Sequence, residues 1–214
     1  MGNRIKNIAY IVGGTTAAYL IYSYLTRGNF SFLAKYPRLY SIVTKGESKT
    51  YDDYNFYTAS GLNSHVDGKG AKYPLLKRPL TTYTIGQIKK MQSESRYGNG
   101  QLWATGRYQI IPSTLIALQK MTGIADSALY NKLTQDRLAN ALIKSKTNLY
   151  NYLEGKVPDN DTTLKSAALA VAQIWSSVGT PSTNKSYYSN DTATTSTYDV
   201  QKILKSYRTK IWQA

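Results

Sequence analysis

The chain has 214 residues, with 27 Lys and Arg against 12 Asp and Glu for a net charge of +15, one His and no Cys. The length fits one ordinary globular domain plus an appendage. Without Cys there is no disulfide framework, thiolate zinc site or Cys nucleophile, and a single His excludes a multi-His metal cluster and most His-dependent triads, so chemistry falls to carboxylates, hydroxyls and amides.

From Asn7 to Thr26 run 20 residues without a charge, bracketed by Arg4 and Lys6 before and Arg27 after. At ~1.5 Å per residue a helix of that length reaches roughly 30 Å, the thickness of a bilayer core. Its Gly, Thr and Ala centre is only weakly apolar, and Tyr19, Tyr22 and Tyr24 suit an interfacial belt. A cleaved signal peptide and a buried core helix compete with a membrane-spanning or signal-anchor helix, and the length favours the last. The expected organisation is therefore an anchor over residues 1–29 and a globular body over 30–214. Flanking basic residues are balanced, so orientation is not fixed.

The body begins with an apolar-rich helical stretch, Leu39, Tyr40, Ile42 and Val43, that ends in Lys45-Gly46-Glu47-Ser48. Between Thr50 and Thr82, Gly61, Gly68, Gly70, Pro74 and Pro79 break the pattern into short pieces, which predicts loops and a small hairpin. Thr84-Ile85-Gly86-Gln87 has the form of a capping box, with Ile85, Ile88 and Met91 on one face. Pro112-Ser113-Thr114 opens a helix carrying Leu115, Leu118 and Met121 and closed by Gly123. Thr134 with Asp136 begins another, carrying Leu138, Ala141, Leu142 and Leu149. A helix from about Thr162 carries Leu164, Ala168, Val171, Ala172 and Trp175 and stops at Gly179. Ser182–Thr197, rich in Ser, Thr and Asn, reads as a surface loop or a substrate-facing lid. A last helix stripes Val200, Ile203, Leu204, Tyr207 and Ile211. The body is mainly α with one small β or loop lobe.

Only three glutamates occur, Glu47, Glu94 and Glu154, and the latter two sit in polar surroundings that suit the surface. Glu47 stands where a helix hands over to the Gly- and Tyr-rich lobe. A carboxyl half-buried at such a junction has a raised pKa and can serve as an acid. Its company is distinctive: Trp103-Ala104-Thr105-Gly106-Arg107-Tyr108-Gln109 follows the lobe, then Ile174-Trp175-Ser176-Ser177-Val178-Gly179, then Ser186-Tyr187-Tyr188. His65 reads as a loop histidine without a catalytic role.

An acid followed by Ser, then Gly-x-x-Gln, then a helix ending in Trp and Gly resembles the lysozyme-like peptidoglycan-cleaving superfamily. The closest resemblance is to phage muramidases of the lambda-endolysin type and to lytic transglycosylases, over roughly Tyr36 to Arg208. The resemblance implies a lysozyme-like α+β fold with Glu47 as general acid and base. It implies substrate contacts from Ser48, Arg107, Tyr108, Gln109 and Trp175, and no cofactor or metal, while Tyr54, Trp103 and Tyr187 are further substrate-binding candidates as aromatic faces on which sugars stack. The Asn of the bacterial transglycosylase motif Ala-x-Asn-x-Gly is missing, since Ser177-Val178-Gly179 stands there.

A glycosidase that hydrolyses needs a second carboxylate, for which Asp52 and Asp53 are candidates. Without one, the sugar's own 6-hydroxyl attacks and leaves a 1,6-anhydro product. The transglycosylase route is the favoured expectation, with a hydrolytic muramidase or a non-catalytic wall-binding protein as alternatives. The expected partners are peptidoglycan and, through the N-terminal helix, a lipid membrane, in the bacterial periplasm or a viral membrane. No nucleic-acid fingerprint accompanies the positive charge, which suits an anionic wall polymer. The whole reading requires Glu47 to be shielded from solvent and to share a groove with the amide of Gln109.

Overall fold

The computed structural model describes residues 36–48, 54–59, 65–66, 76–93 and 102–211. The chain divides into two units, Met1–Tyr36 and Pro37–Ala214, and every element below lies in the second. The anchor expected over Asn7–Thr26 falls outside the described residues, among which no helix is long and apolar enough to cross a membrane.

The described body is mainly helical. Helix α1 spans Pro37–Ser48, and its Pro occupies the first turn, where a missing N–H costs nothing. Leu39, Tyr40, Val43 and Thr44 form its buried face. The phenol oxygen of Tyr207, from the last helix, accepts the backbone N–H groups of Arg38 at 2.8 Å and Leu39 at 3.3 Å, satisfying two donors that an α-helix start leaves open. The lobe that follows contributes β1 (Tyr57–Ala59), β2 (His65–Val66) and, later in the chain, β3 (Leu102–Thr105), in the antiparallel order β2-β1-β3. Tyr57 pairs with Thr105 and Ala59 with Leu102, a register that slips between the two pairs as at a bulge.

Helix α2 (Ile85–Ser93) opens with the expected capping box: Thr84 N–H donates to the Gln87 side chain at 2.9 Å, and Gln87 N–H donates back to the Thr84 hydroxyl at 3.3 Å. Helix α3 (Pro112–Thr122) ends as expected at Gly123, whose φ of 65° is left-handed. Its buried residues are Leu115 and Leu118, whereas Met121 is 55% exposed. At 3.6 residues per turn the inward stripe after Leu118 returns at Thr122, one position past Met121.

The long helix expected from Thr134 to Leu149 is two helices. The first, α4 (Lys132–Ser145), is capped by the Asn131 side chain, which accepts Thr134 N–H at 3.1 Å. Lys146 then leaves the helical region at φ −97° and ψ 89°, and α5 (Thr147–Leu153) restarts with Leu149 inside it. Helix α6 (Asp161–Ile174) begins in a capping box of Asn160 and Thr163 and ends with Trp175 as its cap, four residues short of Gly179. Helix α7 (Thr197–Ile211) buries Val200, Leu204 and Tyr207.

Helix α6 packs against α4, α5 and α7, and α7 against α1, so that Leu138, Ile143, Leu153, Val171, Trp175 and Leu204 make one core. Arg208 is also buried there. It donates to the carbonyls of Tyr152 at 2.9 Å and Val157 at 2.8 Å, tying α7 to the end of α5 and the turn beyond it.

Candidate active site

Glu47 sits in the last turn of α1, and Gly46 makes its surroundings close. A Cβ on Gly46 would lie 2.5 Å from Ser177 Oγ, 2.8 Å from Ser177 Cβ and 3.2 Å from Thr194 Oγ1, so only Gly lets the helix end meet the segment that follows α6. That contact brings the Ser177 hydroxyl to 2.6 Å and its backbone N–H to 3.2 Å from Glu47 Oε1, both donating. The Glu47 pKa is raised from 4.5 to about 6: burial, the largest cause, pushes it up, the two Ser177 hydrogen bonds pull it part of the way back, and the charge of Asp191 adds to the rise. A helix C-terminus disfavours an anion in the same sense. The site therefore holds a carboxyl that is an appreciable proton donor near neutral pH.

The segment beyond Ser177 is a structured loop. Ser177 O accepts N–H from Thr194 and Thr195, both at 2.8 Å, Gly179 N–H donates to Thr195 O at 2.9 Å, and Thr180 N–H to Lys185 O at 2.8 Å. Asn184, at φ 54°, offers its side-chain oxygen to the Thr197 N–H that opens α7, at 2.8 Å. The loop surrounds a cavity of about 330 Å³ lined by Lys185, Ser186, Tyr188, Ser189, Asp191 and Thr192. Tyr188 is pinned by its phenol, which donates to Gln173 O at 2.8 Å, and Tyr187 stands edge-on to it at 5.3 Å while remaining 50% exposed.

The Gly-Arg-Tyr-Gln stretch is a tight turn at the end of β3. Gly106 takes φ 74° and Gln109 φ 48°. Gly106 N–H donates to Phe56 O at 2.7 Å, and the Gln109 side chain closes the turn by donating to Gly106 O at 2.8 Å. Buried Gln92 braces β3 from α2, giving N–H to Trp103 O at 2.7 Å and Ile110 O at 3.0 Å. From α4, Gln135 accepts Arg107 N–H at 3.0 Å and donates to the carbonyls of Tyr54 and Tyr130, both at 2.9 Å. Its neighbour Asp136 accepts the phenols of Tyr54 at 2.9 Å and Tyr108 at 2.7 Å. Arg107 Nη1 donates to those same phenols, at 2.9 and 3.3 Å. Burial, the Asp136 charge and the phenols' donation to it hold the hydroxyls of Tyr54 and Tyr108 protonated, far above the usual tyrosine range.

The expected residues thus fall into two groups. Glu47 stands with Ser177 and the 181–196 loop that carries Tyr187, while Tyr54, Arg107, Tyr108 and Gln109 stand with Asp136. Tyr40 links them, since it belongs to α1 and meets the Tyr108 ring edge-on at 5.6 Å. Among the described residues the hydrogen-bond partner of Glu47 is Ser177, and the Gln109 amide is turned onto its own turn. Trp103 is 47% exposed on β3 and free to stack, but Trp175, expected on a cleft wall, is 1% exposed and is core. Tyr54 and Tyr108 are buried too, so they support the turn from behind. Asp52, Asp53 and the side chain of Ser48 lie outside what is described.

Sequence reasoning missed the roles of Ser177, Gln135 and Asp136. The Trp-Ser-Ser and Gln-Asp pairs were visible, but nothing local tells a contact across 130 residues, as between Glu47 and Ser177, or across 82, as between Tyr54 and Asp136. Among the described residues no cluster of three or more His, Asp or Glu side chains is arranged to hold a metal. No protein-family model, curated protein or solved structure matches the chain.

Proposed function

We propose that the chain is a peptidoglycan-cleaving glycosidase with a lysozyme-like body, acting on the β-1,4 bond between N-acetylmuramic acid and N-acetylglucosamine. The observation that carries this reading is the shielded carboxyl of Glu47, at a helix end against Ser177, with a pKa of about 6. Neutral Glu47 gives its proton to the glycosidic oxygen as the C1–O bond breaks and charge develops on the muramoyl ring. The 6-hydroxyl of that ring attacks C1 and returns its proton to Glu47, leaving a 1,6-anhydro end and a carboxyl ready for the next cycle. The N-terminal segment would tether this activity to a membrane, facing the periplasm or carried in a virion, for lysis or entry.

One observation favours hydrolysis as a second reading. Asp191 lines the loop cavity, and its charge acts on Glu47, so it offers a second carboxylate that could activate water. The two routes leave different ends. Glu47→Gln keeps both acceptor contacts with Ser177 and should abolish release of soluble muropeptides from purified sacculi. Mass spectrometry of wild-type digests should find anhydro ends. Reducing ends would favour the Asp191 route, and digestion by Glu47→Gln as fast as by wild type would end both. Because the acid form is the active one, cleavage should fall as pH rises through about 6.

A further inference from the structure

Asp136 is a half-buried acid with no part in the proposed proton transfer, yet four aromatic or cationic side chains converge on it. Tyr54 comes from the segment before β1, Arg107 and Tyr108 from the turn after β3, and Lys132 from the first turn of α4. Tyr54 and Tyr108 meet edge-on at 6.5 Å, the Arg107 guanidinium lies 5.2 and 5.5 Å from their ring centres, and Lys132 Nζ lies 5.0 Å from that of Tyr54.

The proton directions in this network are fixed by counting. Each phenol has one proton and gives it to Asp136 Oδ1, which leaves each phenol oxygen to accept from Arg107 Nη1. A neutral acid or an amide would still offer one carbonyl oxygen to both phenols, but without the negative charge both contacts weaken and the phenols lose the charge that orders them. Gln135 holds the backbone of the same turn, so α4 grips it twice: Gln135 by the main chain and Asp136 by the side chains.

We propose that Asp136 is a positioning residue of the glycan-binding site: as a carboxylate it orders Tyr54 and Tyr108, and through them sets Arg107 and the Gln109 turn against the sugar, which Asp136 itself does not touch. This rests on the glycosidase reading above but concerns sugar binding rather than the proton transfer. Loss of the charge that orders this set should weaken glycan binding about tenfold.

The test compares Asp136→Asn, Tyr108→Phe and the double variant in the full chain, using solubilised glycan strands. Asp136→Asn should raise KM about tenfold with kcat nearly unchanged, and adding Tyr108→Phe to it should raise KM little further, since both break one network. Asp136→Glu, which restores the charge, should recover part of the loss. A purely structural role predicts instead a lower melting temperature with unaltered KM in the folded fraction, and that result would overturn the proposal. Failure of the glycosidase reading is separable. If wild type releases no product, binding of the same strands by Glu47→Gln is compared with binding by Glu47→Gln/Asp136→Asn. Weaker binding by the double variant supports the role of Asp136, and equal binding or none by either overturns it.

Discussion

At Glu47 two influences on acidity oppose each other: burial raises the pKa, while the Ser177 hydroxyl and N–H stabilise the anion and lower it, with burial the larger. Replacing Ser177 by Ala removes the hydroxyl donor and keeps the N–H, so the pKa should climb further above 6. A pH–rate profile of Ser177→Ala should show its basic limb displaced to higher pH, and a limb moved to lower pH would contradict this account. The same shift is a statement about stability. With the folded pKa near 6 and the ordinary value at 4.5, the folded chain binds more protons than the unfolded one between those values, and stability falls as pH rises through that window. The difference of about 1.5 units amounts to about 2 kcal/mol above pH 6. Glu47→Gln cannot ionise and still accepts from Ser177, so it should be the more stable chain at pH 7.5 by up to about 2 kcal/mol. Below about pH 4.5 the two should converge, as thermal melts across pH would reveal.

At the scale of the helices, Gly46 sets two tendencies against each other. Ala is the better helix former by about 1 kcal/mol in a helix interior. Here, however, its methyl would overlap Ser177 Oγ and Cβ at 2.5 and 2.8 Å, and overpacking of that sort costs about 1–3 kcal/mol. Gly46→Ala should therefore lose net stability in urea and lose activity with it, since relief of the overlap moves Ser177 away from Glu47. How far the elements could be read in advance follows the range of the forces that define them. The box at Thr84 and Gln87 and the stop at Gly123 depend on residues within a turn of each other and were legible. The break at Lys146 and the capping of α1 by Tyr207 depend on neighbours distant in sequence, and were not. The site divides along the same line. Glu47 and the Gly-Arg-Tyr-Gln turn were visible as local anomalies, a lone acid at a helix end and glycine beside polar side chains. Ser177, Gln135 and Asp136 acquire their roles only when α1, α4 and the segment after α6 come together.

For the molecule as a whole, the net charge of +15 acts at longer range than any of these contacts. Its natural consequence is attraction to a polyanion, and bacterial walls present one in their peptide carboxylates and attached acidic polymers. Exposed charges are screened over about 8 Å at physiological ionic strength and about 3 Å at 1 M. The proton transfer proposed for Glu47, whose carboxyl is held against Ser177, should scarcely notice salt. Association with sacculi should consequently weaken steeply as salt rises from about 0.05 to 0.5 M, while turnover of a short uncharged oligosaccharide stays level. Co-sedimentation with sacculi against a chitin control measures the first, and initial rates on the oligosaccharide measure the second. Equal salt sensitivity on charged and uncharged glycan would mean that ions act on the site itself. Salt-insensitive binding to sacculi would assign the attachment to sugar contacts alone and leave the basic surface for another partner.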